Sequence, residues 1–490
     1  MKPRLAAPAL LVIAFSGCAG VDRKTPEIPV EIASKWTAQD DAASTISVLP
    51  TTSEAFVEDL ALPGLAALIE EGLSHNHDLR AAAARLAAAA SDARIAGAAR
   101  YPEIAASLGG GRRREIYIGL PVPGSDTDIL RSESTSLNLG LDIRWEVDLW
   151  GRIRKGALAA GADAEAAEWD YRSARLSLAA AIARAWAQAV SAKRLLQMSL
   201  ETHANLTKSV RWTEARYEGG LLGPLDVRLA RADLASSEAD LKTRSQLVAA
   251  SRRQLEKLLG RYPAARIDTS DELPPLPRAI PAGLPVQLLA RRPDVRAARE
   301  RAVAASARFA AATADRWPRL SLTGRGGTTS IELADLLRGD FLVWNLAANL
   351  TQPIFDGKRL ASLADRARAE EERFIAEYAQ TVLDALAEVE TALDTAKWLS
   401  EREDALRRLL ADSEAAETLT RRRYYAGTGD VLTMLASERR AATARSRFTE
   451  HQLAAWENRI DLHLALAGDL GSGEHSPGTA DSHALEAGPR

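Results

Sequence analysis

From Leu137 the chain alternates without a break. Leu137, Leu139, Leu141, Ile143, Trp145, Val147 and Leu149 fall on one side, and Asn138, Gly140, Asp142, Arg144, Glu146 and Asp148 on the other. A period of two puts these sets on opposite faces of a β-strand. The run is long enough to cross a bilayer when tilted. Trp344, Leu346, Ala348 and Leu350 alternate with Asn345, Ala347, Asn349 and Thr351 and predict a second such strand. Ile104, Ala106 and Leu108 begin a shorter strand, and Leu320 and Leu322 another. Tyr101, Trp150, Trp317 and Phe355 lie near the predicted strand ends, where an aromatic girdle would sit.

Between the strands the period changes. No Pro occurs from Gly151 to Trp212, and no Gly between Gly161 and Gly219, which predicts a rod of about 60 residues and roughly 90 Å. Val227, Ala230, Leu234, Ser237 and Leu241 step by three and four, as do Val382, Leu386, Val389, Leu393 and Ala396. These narrow seams are coiled-coil-like and require neighbouring helices.

The pattern occurs twice. Tyr101-Pro102 and Trp317-Pro318 each close an Ala-rich helical run. Gly151 aligns with Gly357 at an offset of 206, and Gly220 with Gly427 at 207. Each half reads helix, two strands, long helix, glycine-marked turn, long helix. Such self-similarity indicates an internal duplication. Four strands are too few for a closed bacterial barrel, and lipid tolerates no open sheet edge, so the barrel reading requires an oligomer. A soluble helical bundle with an ordinary sheet is the competing reading of the periodicity.

Composition narrows the classes. The chain has 490 residues, 46% hydrophobic, 5% aromatic and 26% charged. Length alone suggests about three domains, but the duplicated pattern replaces that count. Lys+Arg is 63 against Asp+Glu 66, a net charge of -3, which gives no support to nucleic-acid binding. The single Cys excludes an internal disulfide and a thiolate zinc site. No Walker A, Rossmann glycine or HExxH pattern is present, and no nucleophile–base set is visible. The expectation is therefore no enzyme, no cofactor and no metal. His75 and His77 are two apart and do not share a helix face. The acids of the long helices are interspersed with Arg and read as solvated faces and i,i+4 pairs.

The one cysteine carries a different meaning. Lys2 and Arg4 precede the apolar run 5–15, and Phe15-Ser16-Gly17-Cys18 follows. A basic start and a short apolar core make a signal peptide. The small residues before Cys18 resemble a lipobox, which implies lipidation of Cys18, and Ala19 in place of Asp fits outer-membrane sorting. An ordinary signal peptide with an unrelated Cys is the alternative.

Several segments together carry a family resemblance. Pro281-Ala282-Gly283-Leu284-Pro285 followed by Arg291-Arg292-Pro293-Asp294-Val295 is similar to a stretch specific to the TolC/OprM-like outer-membrane efflux proteins. Trp145-Glu146-Val147-Asp148-Leu149-Trp150-Gly151-Arg152-Ile153, Ile354-Phe355-Asp356-Gly357 and Tyr101-Pro102 also fit. The chain resembles this family over roughly residues 60–467. It is closest to the NodT-like lipoprotein branch of resistance-nodulation-division efflux systems.

The resemblance implies a mainly α protein with a membrane β-barrel portion. Three internally duplicated protomers would supply 4 strands each to a trimeric 12-stranded barrel, and their long helices would form a periplasmic tunnel. The boundaries expected are a signal peptide at 1–17, a lipidated extension at 18–60, repeat one at 61–260, a Pro-rich equatorial linker at 261–280, repeat two at 281–467 and a disordered tail at 468–490. The implied function is the passive outer-membrane exit duct of a tripartite pump for small toxic compounds or drugs. The implied partners are two further copies of the chain, a periplasmic adaptor, an inner-membrane resistance-nodulation-division pump and outer-membrane lipid, with no nucleic acid. A type I protein secretion duct, or a lipid-anchored periplasmic helical scaffold without a pore, are the competing readings.

The gate is expected at the helix turns. Gly220, Gly223 and Pro224 mark the first, Gly427 and Gly429 the second, and the family's adaptor would face these tips. The family's constriction rings use a leucine and an aspartate on the helix after the second turn. Leu432 and Arg439 match that pattern, while its acidic position is Ala436 here. Asp430 and Glu438 are the nearest acids able to replace it. Gate residues are therefore expected to be Leu432, Arg439 and Asp430.

Overall fold

A computed structural model describes residues 36, 62–118, 129–276 and 291–466 of the chain. Cys18, the predicted signal peptide, the Pro281–Pro285 part of the family motif and the tail lie outside the described residues. In chain order, α1 (Pro63–His75) and α2 (His77–Ala98) precede β1 (Glu103–Ile118) and β2 (Ile129–Val147). Then follow α3 (Arg152–Glu218), α4 (Pro224–Leu258) and α5 (Pro293–Ala314). Next come β3 (Arg319–Ser330) and β4 (Leu342–Thr351), joined by two short 3-10 turns, then α6 (Arg359–Tyr425) and α7 (Val431–Ala465). No described helix is long and apolar enough to cross a membrane.

The duplication is exact in length. α3 and α6 have 67 residues each, and α4 and α7 have 35 each. Gly151 and Gly357 both take a left-handed φ, at 77° and 63°, and so do Gly220 and Gly427, at 74° and 78°. Lys358, with φ 69°, is the extra residue between Gly357 and Arg359 that changes the offset from 206 to 207. Each long helix is entered through an aspartate. Asp148 accepts from the amides of Ile153 and Arg154 at 3.1 and 2.8 Å, and Asp356 from Leu360 at 3.0 Å. These bonds satisfy amides that have no partner inside the helix.

Two compact units emerge. The first, among the described residues, holds Ser91–Asp163 and Arg301–Phe374 and contains the sheet. Its four strands run antiparallel in the order β1-β2-β3-β4. The predicted alternation is present, with two differences. β2 begins eight residues before Leu137, and β1, at 16 residues, is longer than β4, at 10. The glycine and arginine run 109–114 breaks the apolar alternation, but cross-strand pairing with β2 carries β1 on to Ile118.

Register assigns the faces. Ile104, Ala106 and Leu108 stand opposite Ile143, Leu141 and Leu139, and Gly324, Gly326 and Thr328 stand opposite Leu346, Trp344 and Leu342. Residues directly opposite share a face. That face is apolar and open, with Leu108, Trp344 and Leu346 each more than 70% exposed. The other face carries Ser107, Asp142, Arg144, Arg325 and Asn345, with Ser107 donating to Asp142 at 2.8 Å. From Leu137 to Val147 the apolar row runs about 33 Å along the strand, or about 25 Å in height at barrel tilt. Trp150 and Trp317 lie with ring centres 5.4 Å apart and exposed at one end of the sheet. Within the sheet, β1 and β4 each have one unpaired side.

Gly327 shows how closely β2 and β3 run. A Cβ there would lie 2.1 Å from the Leu139 carbonyl oxygen. Gly327→Ala is expected to cost about 1–3 kcal/mol through forced backbone displacement. The check is amide hydrogen exchange, where protection of β2 and β3 should fall; unchanged protection would refute it.

The second unit is helical. Its core packs Leu65 and Ile69 of α1 with Ile182, Trp186 and Val190 of α3, Leu255 of α4, and Trp456 and Ile460 of α7. The Pro-rich segment lies on this core, and Trp456 donates its indole N–H to the Pro274 carbonyl at 2.9 Å. Arg292 explains the family motif at 291–295. Its buried guanidinium binds Asp294 at 2.6 Å and Glu388 at 2.7 Å, and donates to the Ala465 carbonyl at the end of α7 at 3.0 Å. The predicted seams are also present, with Val227, Ala230, Val382 and Val389 buried.

The reading of the helix acids as solvated is corrected. Glu256, Glu300, Glu417 and Glu438 are all buried. Each has strong compensation or a nearby cation: Glu417 has Arg421 at the expected i,i+4 spacing, whereas the amides on Glu256 and the Glu438–Arg421 bond join residues that helix spacing does not pair. Glu256 accepts from the amides of Ala265, Arg266 and Ile267 at 2.6, 2.7 and 3.0 Å. Burial pushes its carboxyl up, but the three amides more than offset this and hold it below the usual range.

Candidate functional site

The two helix turns have one construction. After α3, the Gly220 amide donates to the Tyr217 carbonyl at 2.9 Å, and the Leu221 amide to Arg216 at 2.9 Å. After α6, Gly427 donates to Tyr424 at 3.1 Å and Thr428 to Arg423 at 3.0 Å. Both are Schellman closures, for which the left-handed glycine is the requirement. The predicted tip glycines are therefore turn chemistry first. Gly223 precedes Pro224, the first residue of α4, and donates its amide to the Asp226 carboxylate at 3.0 Å. Gly429 donates to the Arg423 carbonyl at 3.1 Å.

Asp430 caps α7. Its carboxylate accepts from the Thr433 amide at 2.8 Å and the Thr433 hydroxyl at 2.7 Å. The hydroxyl bond, with the amide behind it, holds this carboxyl below its ordinary value of 3.8. A depressed folded value stabilises above 3.8 and is lost as pH falls through the folded value. Asp430→Ala is expected to cost about 1 kcal/mol at neutral pH. Chemical denaturation should show that difference vanishing in strong acid, and a constant difference would refute the cap's role.

Leu432 lies outside the seam. Val431, Met434 and Leu435 are buried in a cluster with Leu206, Val210, Ala230 and Tyr424, whereas Leu432 is 49% exposed. Its counterpart 207 residues earlier, Leu225, is 64% exposed. Both repeats thus present a leucine at the start of the returning helix with nothing of the protomer covering it fully.

Arg439 reaches across repeats. Its guanidinium pairs with Asp233 of α4 at 3.0 Å and ties the two returning helices together. Tyr424, fully buried, does the same for the two outgoing helices. Its hydroxyl meets the Thr213 hydroxyl at 3.0 Å, and the Arg216 guanidinium lies 4.5 Å from its ring centre.

Beside this pair lies a charge network that sequence reading missed. Arg421 of α6 bonds Glu438 of α7 at 3.1 Å and Glu417 at 2.5 Å. Arg445 bonds Glu417 at 2.6 Å and Glu414 at 2.8 Å. One Glu438 oxygen has no hydrogen-bond partner. Burial drives its carboxyl above the usual range; Arg421 opposes this, and Glu417 and Asp233 add to it. Glu438, considered as a substitute for the acid missing at Ala436, therefore points into the hairpin. A sequence signal existed. The offset of 207 sets Glu214 on Arg421 and Arg231 on Glu438, and Glu214 pairs with Arg231 at 2.7 Å. The two repeats keep the same interhelical ion pair with its charges exchanged.

Comparisons with known proteins show the family. The family model described as outer membrane efflux protein matches residues 68–261 and 284–468. The solvent efflux pump outer membrane protein SrpC of Pseudomonas putida is 29% identical over 475 residues, covering 94% of this chain and 97% of that protein. The pyoverdine export outer membrane protein OpmQ of Pseudomonas putida is 30% identical over 433 residues, covering 88% and 91%. Among solved structures, the outer-membrane channel OprN aligns with TM-score 0.81 and 30% identity over 92% of this chain and 100% of that one. The open state of the Neisseria gonorrhoeae MtrE outer membrane channel aligns with TM-score 0.76 and 28% identity, covering 91% and 97%.

Proposed function

The chain belongs to the outer membrane efflux protein family, and from that premise we propose that three copies form the passive exit duct of a tripartite pump. The outer membrane is its place, and export is its activity. The observation that carries the trimer is the four-stranded sheet, apolar and exposed on one face and unpaired along both edges. In lipid each open edge costs several kcal/mol per unmet backbone group. Pairing β4 of one copy with β1 of the next removes every edge and gives 12 strands.

In this reading residues 1–17 are removed and Cys18 anchors the extension 18–60. Repeats 61–260 and 281–467 flank the linker 261–280, and 468–490 is a tail. The tips at Gly220, Gly223, Pro224, Gly427 and Gly429 meet a periplasmic adaptor. A resistance-nodulation-division pump supplies energy and selection. The relatives' names span solvent efflux and pyoverdine export, which supports a duct that leaves selection to the pump. Leu432 closes the resting duct as an apolar constriction around the three-fold axis, and the Arg439–Asp233 pair holds the helices that carry it.

The test is conductance of purified protein in planar bilayers, with heat-modifiable migration of the trimer. A folded trimer that never conducts, even after Leu432→Ala, would sink the duct. For the anchor, Cys18→Ser should abolish metabolic palmitate labelling; retained label would refute it.

A further inference from the structure

All four strands meet helices at one end of the sheet and are joined at the other by residues 119–128 and 331–341. With the helices in the periplasm, the joined end lies in the outer leaflet. There the apolar row of β1 changes character. Ile104, Ala106, Leu108 and Gly110 are followed on the same face by Arg112 and Arg114. Register sets Gly110 opposite Leu137, Arg112 opposite Thr135, Arg114 opposite Glu133 and Ile116 opposite Arg131. Arg112, Arg114 and Arg131 therefore share the lipid-facing side and begin one row beyond the last leucine.

The charges on this face do not balance. Glu133 is the one carboxylate among three guanidiniums in these rows, at 2.9 Å from Arg112 and 3.6 Å from Arg114. The Arg112 and Arg114 side chains remain 74% and 54% exposed. Arg113, between them, turns to the opposite face and pairs with Glu115 at 3.2 Å. A positive excess at headgroup height meets an anion in the membrane, and planar guanidinium forks suit phosphate oxygens bidentately.

We propose that Arg112, Arg114 and Arg131 form a site, one per protomer, for the phosphorylated sugar headgroup of an outer-leaflet glycolipid. Glu133 already holds two of the three arginines side by side, so little ordering is needed when a phosphate docks on their exposed donors that Glu133 does not use. The site rests on the membrane-channel reading above, because that reading makes this face the lipid-facing one.

Native mass spectrometry of the full-length trimer with added diphosphoryl lipid A tests it. Retention should fall about tenfold or more in the triple variant Arg112→Gln, Arg114→Gln, Arg131→Gln, and stay unchanged in Arg113→Gln. Lipid A stripped of its phosphates should bind weakly to all forms. A triple lysine variant, which keeps charge and solubility but loses the fork, should remain trimeric and fall between. No retention by the unsubstituted chain, equal retention by the triple variant, or equal retention of the dephosphorylated lipid would overturn the site. So would loss of the trimer with lipid per trimer unchanged, because the arginines would then serve to close the barrel against acids such as Asp340 of a neighbouring copy. Conductance of the unsubstituted chain separates the two readings. A conducting channel with unaltered lipid retention overturns this site alone, and a chain that never conducts overturns the channel.

Discussion

Arg439→Ala is expected to open the resting channel. The substitution removes the bond to Asp233 that joins the two returning helices at 3.0 Å. The pair is half solvated, with Arg439 64% exposed and Asp233 16%. An ion pair of this kind contributes about 0.5–1 kcal/mol. If the bond is made in the closed state and broken in the open one, and three copies switch as a unit, the closed state loses about 1.5–3 kcal/mol. That is about a ten- to hundredfold shift toward open. The measurement is planar-bilayer conductance, together with uptake of a large antibiotic such as vancomycin by cells expressing the variant. Asp233→Asn should act in the same direction, and combining both should add little, because each breaks the same bond. Leu432→Ala should also raise conductance, through loss of the apolar constriction. Unchanged conductance and uptake in a folded, exported Arg439→Ala protein would remove Arg439 from the gate.

Arg421→Met is expected to destabilise the second hairpin strongly. Glu438 is buried, and Arg421 is its ion-pair partner at 3.1 Å. Glu417 keeps Arg445 at 2.6 Å, whereas Glu438 is left without a cation bonded to it. Breaking a buried pair by removing one member costs about 3–5 kcal/mol. The loss should depend on pH with a definite sign. The Glu438 carboxyl is already raised above its ordinary value of 4.5 by burial, and losing Arg421 raises it further. Between 4.5 and the raised value the folded state binds more protons than the unfolded state, so stability falls as pH rises through that window. The Arg421→Met deficit should therefore be largest at neutral pH and shrink as pH approaches 4.5. Adding Glu438→Gln should recover part of it at pH 7. Helical circular dichroism during chemical denaturation reads both effects, and a deficit of equal size at pH 5 and pH 8 would refute the buried-charge account. The gate and this network lie close together, since Asp233 also acts on Glu438. Conductance and stability are both needed to tell opening from unfolding.

Much was written in the chain itself. Alternation from Leu137 to Val147 determined a membrane-compatible strand, because a period of two leaves one face wholly apolar whatever surrounds it. Seams at Val227 and Val382 determined long paired helices, because their periodicity is a property of the helix alone. Gly220 and Gly427, at a fixed offset, determined where those helices turn, because few residues accept a left-handed backbone. All of these are local. The cross-repeat bonds were not legible, because they join residues far apart in sequence. Arg439 was found by motif, but Asp233 as its partner came only from packing α4 on α7. Glu438 looked like one more solvated acid until α6 brought Arg421 and Glu417 against it. That the Asp430 carboxylate caps α7 through the Thr433 amide and hydroxyl came only from the structure. Alternation alone puts Arg112 and Arg114 on the Leu108 face, but Arg131 lies on the next strand, and only the β1–β2 register put it beside them. Sequence sets what each segment is, since that depends on neighbours along the chain. The tertiary structure sets which charges meet, since Coulomb and hydrogen-bond energies depend on distances that only packing supplies.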